Sequence, residues 1–351
     1  MAVDPKHIVI VGAGIIGVST AYYLTKHPSY TGQPITLIDS TGVAAAASGK
    51  AGGLLAMDWH EKETSPLAAL SYRLHESLAQ EYPDRWGYRK LDTLSVRTSP
   101  KGKAGVKLKQ EIDWLDQSIV EKVNVLGTTD STAQVHPRKF CRGLLSEAKG
   151  VNLIVAKVVA VNPGVATVET SPGVLEDMSS DCIIVCAGPW TERLLNVPIT
   201  SVRAHSITVL TPKPVTPHAL FTDMRLADGS NVNPEFYARQ DEIYICGEGD
   251  EDVPLPDKAS DVQVDMARCG ALKQYADALS PFFRDAEIGV QQACYLPTSP
   301  TPLVGKLQQG VYVASGHSCW GICLGPGTGK VMSEIIFEGK AKSADVKLLD
   351  P

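Results

Sequence analysis

The sequence predicts an α/β protein, α+β when the whole chain is counted, in which a parallel nucleotide-type sheet is interleaved with a more antiparallel region. Three observations predict it. The apolar run His7-Ile-Val-Ile10 leads into the glycine turn Val11-Gly-Ala-Gly-Ile-Ile-Gly17. A second such turn, Ser315-Gly-His-Ser318, follows the apolar run Val311-Tyr-Val-Ala314 near the other end of the chain. Between them, residues 235–248 (EFYARQDEIYICGE) carry the β-branched and aromatic residues that suit a pleated, half-buried surface.

The chain opens as a βαβ unit: a strand over 7–11, the glycine turn, a helix from about Ile15 to Lys26, and a strand Ile35-Thr-Leu-Ile38 ending at Asp39. Residues 64–82 look helical. From His136 to Val161 the chain reads as a helix, a stop at Gly150, and β-branched strands that return to the nucleotide-type sheet. Cys182-Ile-Ile-Val-Cys186 is a further buried strand running into Ala187-Gly-Pro-Trp190, and residues 321–340 (GICLGPGTGKVMSEIIFEGK) read as a loop followed by a closing helix. Residues 1–90, 131–200 and 286–351 are expected to form a discontinuous dinucleotide-binding domain. Residues 91–130 and 201–285 are expected to form the substrate domain.

The 351 residues are 44% hydrophobic and 21% charged, a composition that folds rather than stays disordered. A formal charge of −6 without a Lys/Arg block lacks the footprint of a nucleic-acid binder. The longest apolar runs are strand-sized, so membrane insertion is not expected, and neither MAVDPKH nor KLLDP reads as a targeting or anchoring signal. The expectation is a soluble cytoplasmic protein. Eight cysteines are scattered along the chain, at 141, 182, 186, 246, 269, 294, 319 and 323. None forms a CxxC pair, so buried, reduced thiols are expected, with no metal site.

The glycine turn carries the first chemistry. Its glycines permit a tight turn and close approach of a pyrophosphate, the helix N-terminus presents unpaired amides, and Asp39 is placed to accept hydrogen bonds from ribose hydroxyls. A glycine turn alone also serves plain helix–strand packing; the strand before it and the acid after it favour a Rossmann-like dinucleotide site. The small-residue segment Ser48-Gly-Lys-Ala-Gly-Gly53 either lets backbone approach a flat ligand or is a flexible loop. Glycine turns closing strands at both ends of the chain suit FAD, whose long body passes several loops.

These residues, in order IVIVGAGIIG with Asp39, ASGKAGGLL, VHP, CAGPW, ACYLPTSPTPLVG and GVYVASGHSCWGICLGPGTGKVMSEIIFEG, resemble the D-amino-acid oxidase superfamily of flavoenzymes over nearly the whole chain. The glycine oxidase and monomeric sarcosine oxidase branches are nearest, and the tail looks closest to poorly characterised fungal oxidoreductases. The resemblance implies FAD on Gly12, Gly14, Ile15, Ile16 and Gly17, with Asp39 and Ser40 at the adenosine ribose. Ser48, Lys50, Ala51, Gly52, Gly53 and Leu54 would lie along the flavin. Val158 would pair its backbone with adenine, and Ala187, Gly188 and Trp190 would follow. Gly316, His317, Gly321 and Ile322 would complete the ring site, where main-chain amides stabilise developing anionic charge. Lys50, His317 and Trp320 are the residues expected at the reacting end, and Tyr237, Arg239 and Trp320 those expected around the substrate. His317 reads equally well as a hydrogen-bonded strand-end residue, and Trp320 and Tyr237 as core. Cys294 falls where sarcosine oxidase and the fructosyl-amine oxidases hold FAD by a thioether, while relatives with glycine there bind it without a bond.

The family chemistry passes a hydride from the α-carbon of a neutral amine or amino acid to flavin N5, giving an imine that water hydrolyses. Two departures bear on the substrate and the electron acceptor. Amino-acid-using relatives often carry Arg where this chain has Leu296, and an aliphatic side chain cannot grip a carboxylate; Arg239, Lys50 or Arg225 would have to replace it, or the substrate lacks the carboxylate. The strand Tyr244-Ile-Cys-Gly247 lacks the Lys of the sarcosine oxidase branch, so oxygen or another, unknown acceptor is left open. Three readings stand: an FAD-dependent amine or amino-acid oxidoreductase, a flavin-bearing regulatory or interaction protein with little turnover, and an NAD-dependent dehydrogenase.

Overall fold

The computed structural model describes residues 5–103 and 105–351. Six strands form the nucleotide-type sheet, in the order Leu303–Gln308, Val311–Ser315, Cys182–Val185, Ile8–Val11, Ile35–Asp39, Val151–Val155. Every pairing is parallel except that of the outermost hairpin, Leu303–Gln308 with Val311–Ser315. The three central strands are apolar along their length because helices or other layers cover both faces, leaving no solvent side on which polar residues would alternate. Parallel order also brings the carboxyl ends of these three strands to one edge. Each end runs into a glycine-containing turn, at Gly12, Gly188 and Gly316, all with positive φ. Ligands bind at such an edge.

The strands after Gly150 divide. Val151–Val155 takes the edge beside Ile35–Asp39, as expected, but Lys157–Asn162 leaves for a separate three-stranded antiparallel sheet with Val165–Ser171 and Val174–Ser179. The second region is an eight-stranded sheet, mostly antiparallel, built from Asp92–Thr98, Val120–Gly127 and the strands between 200 and 250, with Ile288–Thr298 at its edge. Ile288–Thr298, placed with the dinucleotide domain by the division drawn from sequence, pairs along its whole length with Thr200–Leu210. Nothing local in an apolar strand says which sheet it will join.

The tail corrects one expectation. The stretch read as a loop is helical from Gly321 onward, one helix Gly321–Glu338 with Pro326 inside it. Its glycines are packing surfaces: a Cβ on Gly325 would lie 2.5 Å from Ile15 Cγ1, and one on Gly329 would lie 2.4 Å from the Ser19 backbone carbon. The helix therefore lies with its bare backbone against the Ile15–Lys26 helix. Gly327 faces a third helix, Ser65–Glu81, with a hypothetical Cβ 2.9 Å from Leu67 O.

Proline inside a helix removes one hydrogen bond and clashes with the preceding turn. The Ser65–Glu81 helix repairs both neighbouring gaps. His75 Nε2 donates to Ile322 O at 2.9 Å, the carbonyl Pro326 cannot serve. Ser71 Oγ donates to Cys323 O at 2.6 Å and accepts from Gly327 N at 2.9 Å, standing in for the next rung. Ser71→Ala strands both buried backbone groups and should cost ~1–3 kcal/mol of stability. Ser77→Ala, which removes an exposed hydroxyl bonded to Arg73 O, should stay within about 0.5 kcal/mol. Chemical denaturation of the two variants checks the difference; equal losses would refute the bridging role.

Candidate functional site: one cleft between the two glycine turns

The three strand-end turns line one cleft that encloses about 1420 Å³ of empty space out to its open mouth. Gly12, Gly14, Ile15, Ile16, Asp39, Ser40, Ser48 and Ala51 line one stretch, Val158, Ala187, Gly188 and Trp190 another, and Gly316, His317, Gly321 and Ile322 a third. Residues from opposite ends of the chain thus share one groove.

The three glycines of the first turn have different tasks. A Cβ on Gly17 would sit 1.9 Å from Gly12 O, and one on Gly12 would sit 2.3 Å from Cys186 O, so these two close the turn against the protein's own backbone. A Cβ on Gly14 meets only the Ser48 hydroxyl, at 3.0 Å. That face is the one left bare for a ligand. Ser48 Oγ also accepts from Ile15 N at 2.9 Å, satisfying one of the helix's first amides, while the others of that turn have no partner four residues earlier within the helix.

Asp39 does more than wait for a ribose. Its Oδ2 accepts from Ala13 N at 2.9 Å, and its Oδ1 from Thr41 N and Gly42 N at 2.9 and 2.8 Å. A carboxylate offers about four acceptor positions, so it clamps the turn and keeps capacity for one more donor.

His317 is buried and lines the cleft. Its Nε2 meets Thr328 Oγ1 at 3.1 Å, and that hydroxyl donates its one proton to Leu324 O at 2.9 Å. Nε2 must therefore carry the ring proton, which leaves Nδ1 as a buried acceptor without a partner among the described residues. Burial pushes the ring's pKa down to about 3, so it is neutral at physiological pH. A neutral, unpartnered acceptor on a cleft-lining residue suits an N–H of a bound ligand.

Several expected residues stand beside the cleft instead of on it. A Cβ on Gly52 would lie 2.3 Å from the Tyr237 ring, and one on Gly53 would lie 2.1 Å from Val135 O, so the approach these glycines permit is by the protein's own ring and carbonyl. Leu54 begins the short strand Leu54–Ala56, paired with Thr132–Gln134. Lys50 Nζ donates to Ala293 O at 2.8 Å, and burial lowers its pKa. Arg239 donates to Glu242 Oε1, to Ala51 O at 2.7 Å and to Gly52 O at 3.2 Å, and lies 5.0 Å from the centroid of the Tyr244 ring. Its guanidinium anchors the 51–52 backbone. Arg225 is exposed at the end of the strand His218–Arg225. Cys294 is buried on Ile288–Thr298, two residues before Leu296, and strand alternation turns the two to the same face. Leu296 lines the cleft. Burial pushes the Cys294 thiol up to about 11, with Lys50 acting in the opposite sense.

Trp320 belongs to an aromatic wall. Its ring lies 6.5 Å from Trp59, Trp59 lies 5.5 Å from Phe221, Phe221 lies 6.0 Å from Tyr237, and Tyr237 stacks on Tyr244 at 5.8 Å. Trp59 was not singled out from sequence, and no local signal marks it. Also missed were Cys319, Leu194 and the pair Lys157–Asp257, all lining the cleft, the latter joined at 2.6 Å. The two cations of the lining, Lys157 and Arg193, are both engaged, Arg193 with the Leu255 and Pro256 carbonyls. All eight cysteines are free; Cys319 is exposed and Cys246 half-buried, against the expectation that every thiol is buried.

The cleft fits a dinucleotide: a bare glycine face at a helix start, a carboxylate with spare capacity, and an unpartnered acceptor at the far end. The sequence pattern of the FAD dependent oxidoreductase family (DAO) matches residues 7–335. The chain belongs to this family. It is an FAD-dependent oxidoreductase. A Schizosaccharomyces pombe protein named as an oxidoreductase is 43% identical to it over 99% of this chain and 98% of its own length. A Saccharomyces cerevisiae protein, likewise named as an oxidoreductase, is 32% identical over 99% and 94%. In fold it is similar to glycine oxidase from Geobacillus kaustophilus (TM-score 0.77, 19% identity, 98% of this chain and 97% of that one) and to iminodiacetate oxidase from Chelativorans (0.76, 19%, 98% and 98%). Among the described residues no helix is long and apolar enough to cross a membrane.

The buried neutral histidines make stability pH-dependent. His75 and His317 have folded pKa values lowered by burial to about 4 and about 3, against 6.5 for an exposed ring. Unfolding lets both gain a proton, so their contribution is whole above about pH 6.5 and is lost as pH falls toward 4. Tm should decline with acidification from about pH 6.5, before most carboxylates titrate, and the decline should be shallower in His75→Asn. An unchanged slope in that variant would refute the assignment.

Proposed function

We propose that this enzyme oxidises a carbon–nitrogen bond of a small amine or amino acid, hydride leaving the substrate's α-carbon for FAD and the resulting imine being hydrolysed by water. The observation that carries this reading is the single cleft lined by both glycine turns, which joins a phosphate-type helix start to a neutral, dry histidine site. Bound FAD would supply the hydride acceptor at flavin N5. The protein's share is positional. Gly14 and the first-turn amides would hold the pyrophosphate, Asp39 a ribose hydroxyl, and His317 Nδ1 a donor on the ring. Trp320 and the other rings of the wall would limit water beside the reacting carbon. A thioether from Cys294, on the same strand face as the cleft-lining Leu296, to the flavin is part of this reading, and oxygen is one acceptor among several that could reoxidise the enzyme.

Purified protein should be yellow, and Gly14→Val should remove the colour while the chain stays folded, since a branched side chain fills the one bare face of the turn. Anaerobic mixing with a panel of primary and secondary amines and amino acids should bleach the flavin. Bleaching by hydroxy acids alone would refute carbon–nitrogen oxidation, and none by any substrate would favour a flavin-bearing protein with little turnover. Acid precipitation should leave yellow in the pellet, with a Cys294 peptide heavier by one FAD; yellow confined to the supernatant would exclude the bond and leave FAD binding intact.

A further inference from the structure

The aromatic wall ends on an acid. Phe221 and Glu235 are direct partners across the antiparallel pair, as are Glu235 and Cys246, so all three side chains rise from one face of the eight-stranded sheet. It is the face on which Tyr237 and Tyr244 meet Gly52, next to the cleft-lining Ala51. Tyr237 Oη donates to Glu235 Oε2, and Cys246 Sγ lies 3.6 Å from the same oxygen. Both donors go to Oε2; Oε1 has no hydrogen bond among the described residues, and no cation among them forms a salt bridge with the carboxylate. Trp59, Phe221, Trp320 and Glu235 are each only partly buried, so each keeps some exposed surface. The charge of Glu235 also bears on Cys319, which lines the cleft, so acid and cleft are neighbours.

The balance of charge at this end is the reverse of what a carboxylate substrate needs. Arg239 and Lys50 are tied to main-chain carbonyls, and Leu296 offers no charge. An unpaired carboxylate directly across the strand pair from Phe221, whose ring lies 5.5 Å from that of Trp59, is instead a cation site, because aromatic rings and the acid both attract positive charge. Resting on the reading of the chain as an amine oxidoreductase, we propose that its substrates are amines that carry a second positive charge and no carboxylate, aliphatic diamines foremost, with the distant ammonium held by Glu235 between Trp59, Phe221 and Trp320. A diamine meets both demands at once. One nitrogen stays protonated on the acid while the other, as free base, is oxidised.

Calorimetric titration of the yellow holoprotein with α,ω-diaminobutane, butylamine and ω-aminobutanoate tests this. The diamine should bind about tenfold or more tighter than either analogue, and Glu235→Gln should erase that preference while leaving the flavin spectrum unchanged. Equal affinity for diamine and butylamine in the wild-type protein, or tighter binding of the aminobutanoate, would overturn the proposal whether or not the variant folds. The two readings fail separately. Bleaching by amino acids with no diamine preference sinks the cation site alone, while diamine binding that depends on Glu235 without any bleaching sustains the site and sinks amine oxidation.

Discussion

Everything at the cleft depends on how closely two helices from opposite ends of the chain approach one another. Ile15–Lys26 and Gly321–Glu338 meet through bare backbone at Gly325 and Gly329. A methyl group at either position would push them apart. Because each helix starts directly after a glycine turn, the contact that brings their axes together also brings the turns together. Those turns supply the phosphate-type face at Gly14 and the ring-type face at His317. The strands alone would align the turns along an edge; the helix contact closes the edge into a groove.

That contact has a local cost, and the third helix meets it. A helix rich in glycine and interrupted by Pro326 is a poor helix by propensity. Its broken rungs are completed from outside by Ser71 and His75, so the helix exists because of its tertiary partners. His75 does this through its Nε2–H, and burial keeps the ring neutral. His317 is held neutral in the same way, by burial, while Thr328 of the Gly321–Glu338 helix accepts the hydrogen bond from its Nε2. Packing and site chemistry therefore share one requirement: two imidazoles kept dry.

The cations of the site show a similar economy. Arg239, which the sequence offers as a substrate-binding group, spends its guanidinium on Glu242 and the carbonyls of Ala51 and Gly52, fixing the backbone that borders the cleft. Lys50 is likewise folded onto Ala293 O. The acid Glu235 is left with hydrogen bonds but, among the described residues, no salt-bridged cation, and Phe221 and Tyr237 lie on its face of the sheet. The polarity beside the cleft is thus set by which charges are already satisfied, a property of pairs and not of residues.

The sequence by itself determined the nucleotide-type strands, the Ile15–Lys26 helix, the Gly12, Gly14 and Asp39 constellation and the turn at Gly316, because each rests on spacing within a few residues of chain. It determined the family for the same reason, since those short motifs occur in a fixed order. It did not determine the helix at Gly321, where local propensity says loop and only contact with Ile15, Ser19 and Ser71 says otherwise. Nor did it determine which sheet takes Ile288–Thr298, that Gly52 makes room for Tyr237, or that Trp59 joins Trp320. Those outcomes were decided by tertiary structure, because a side chain's partner across the fold leaves no trace in the residues beside it.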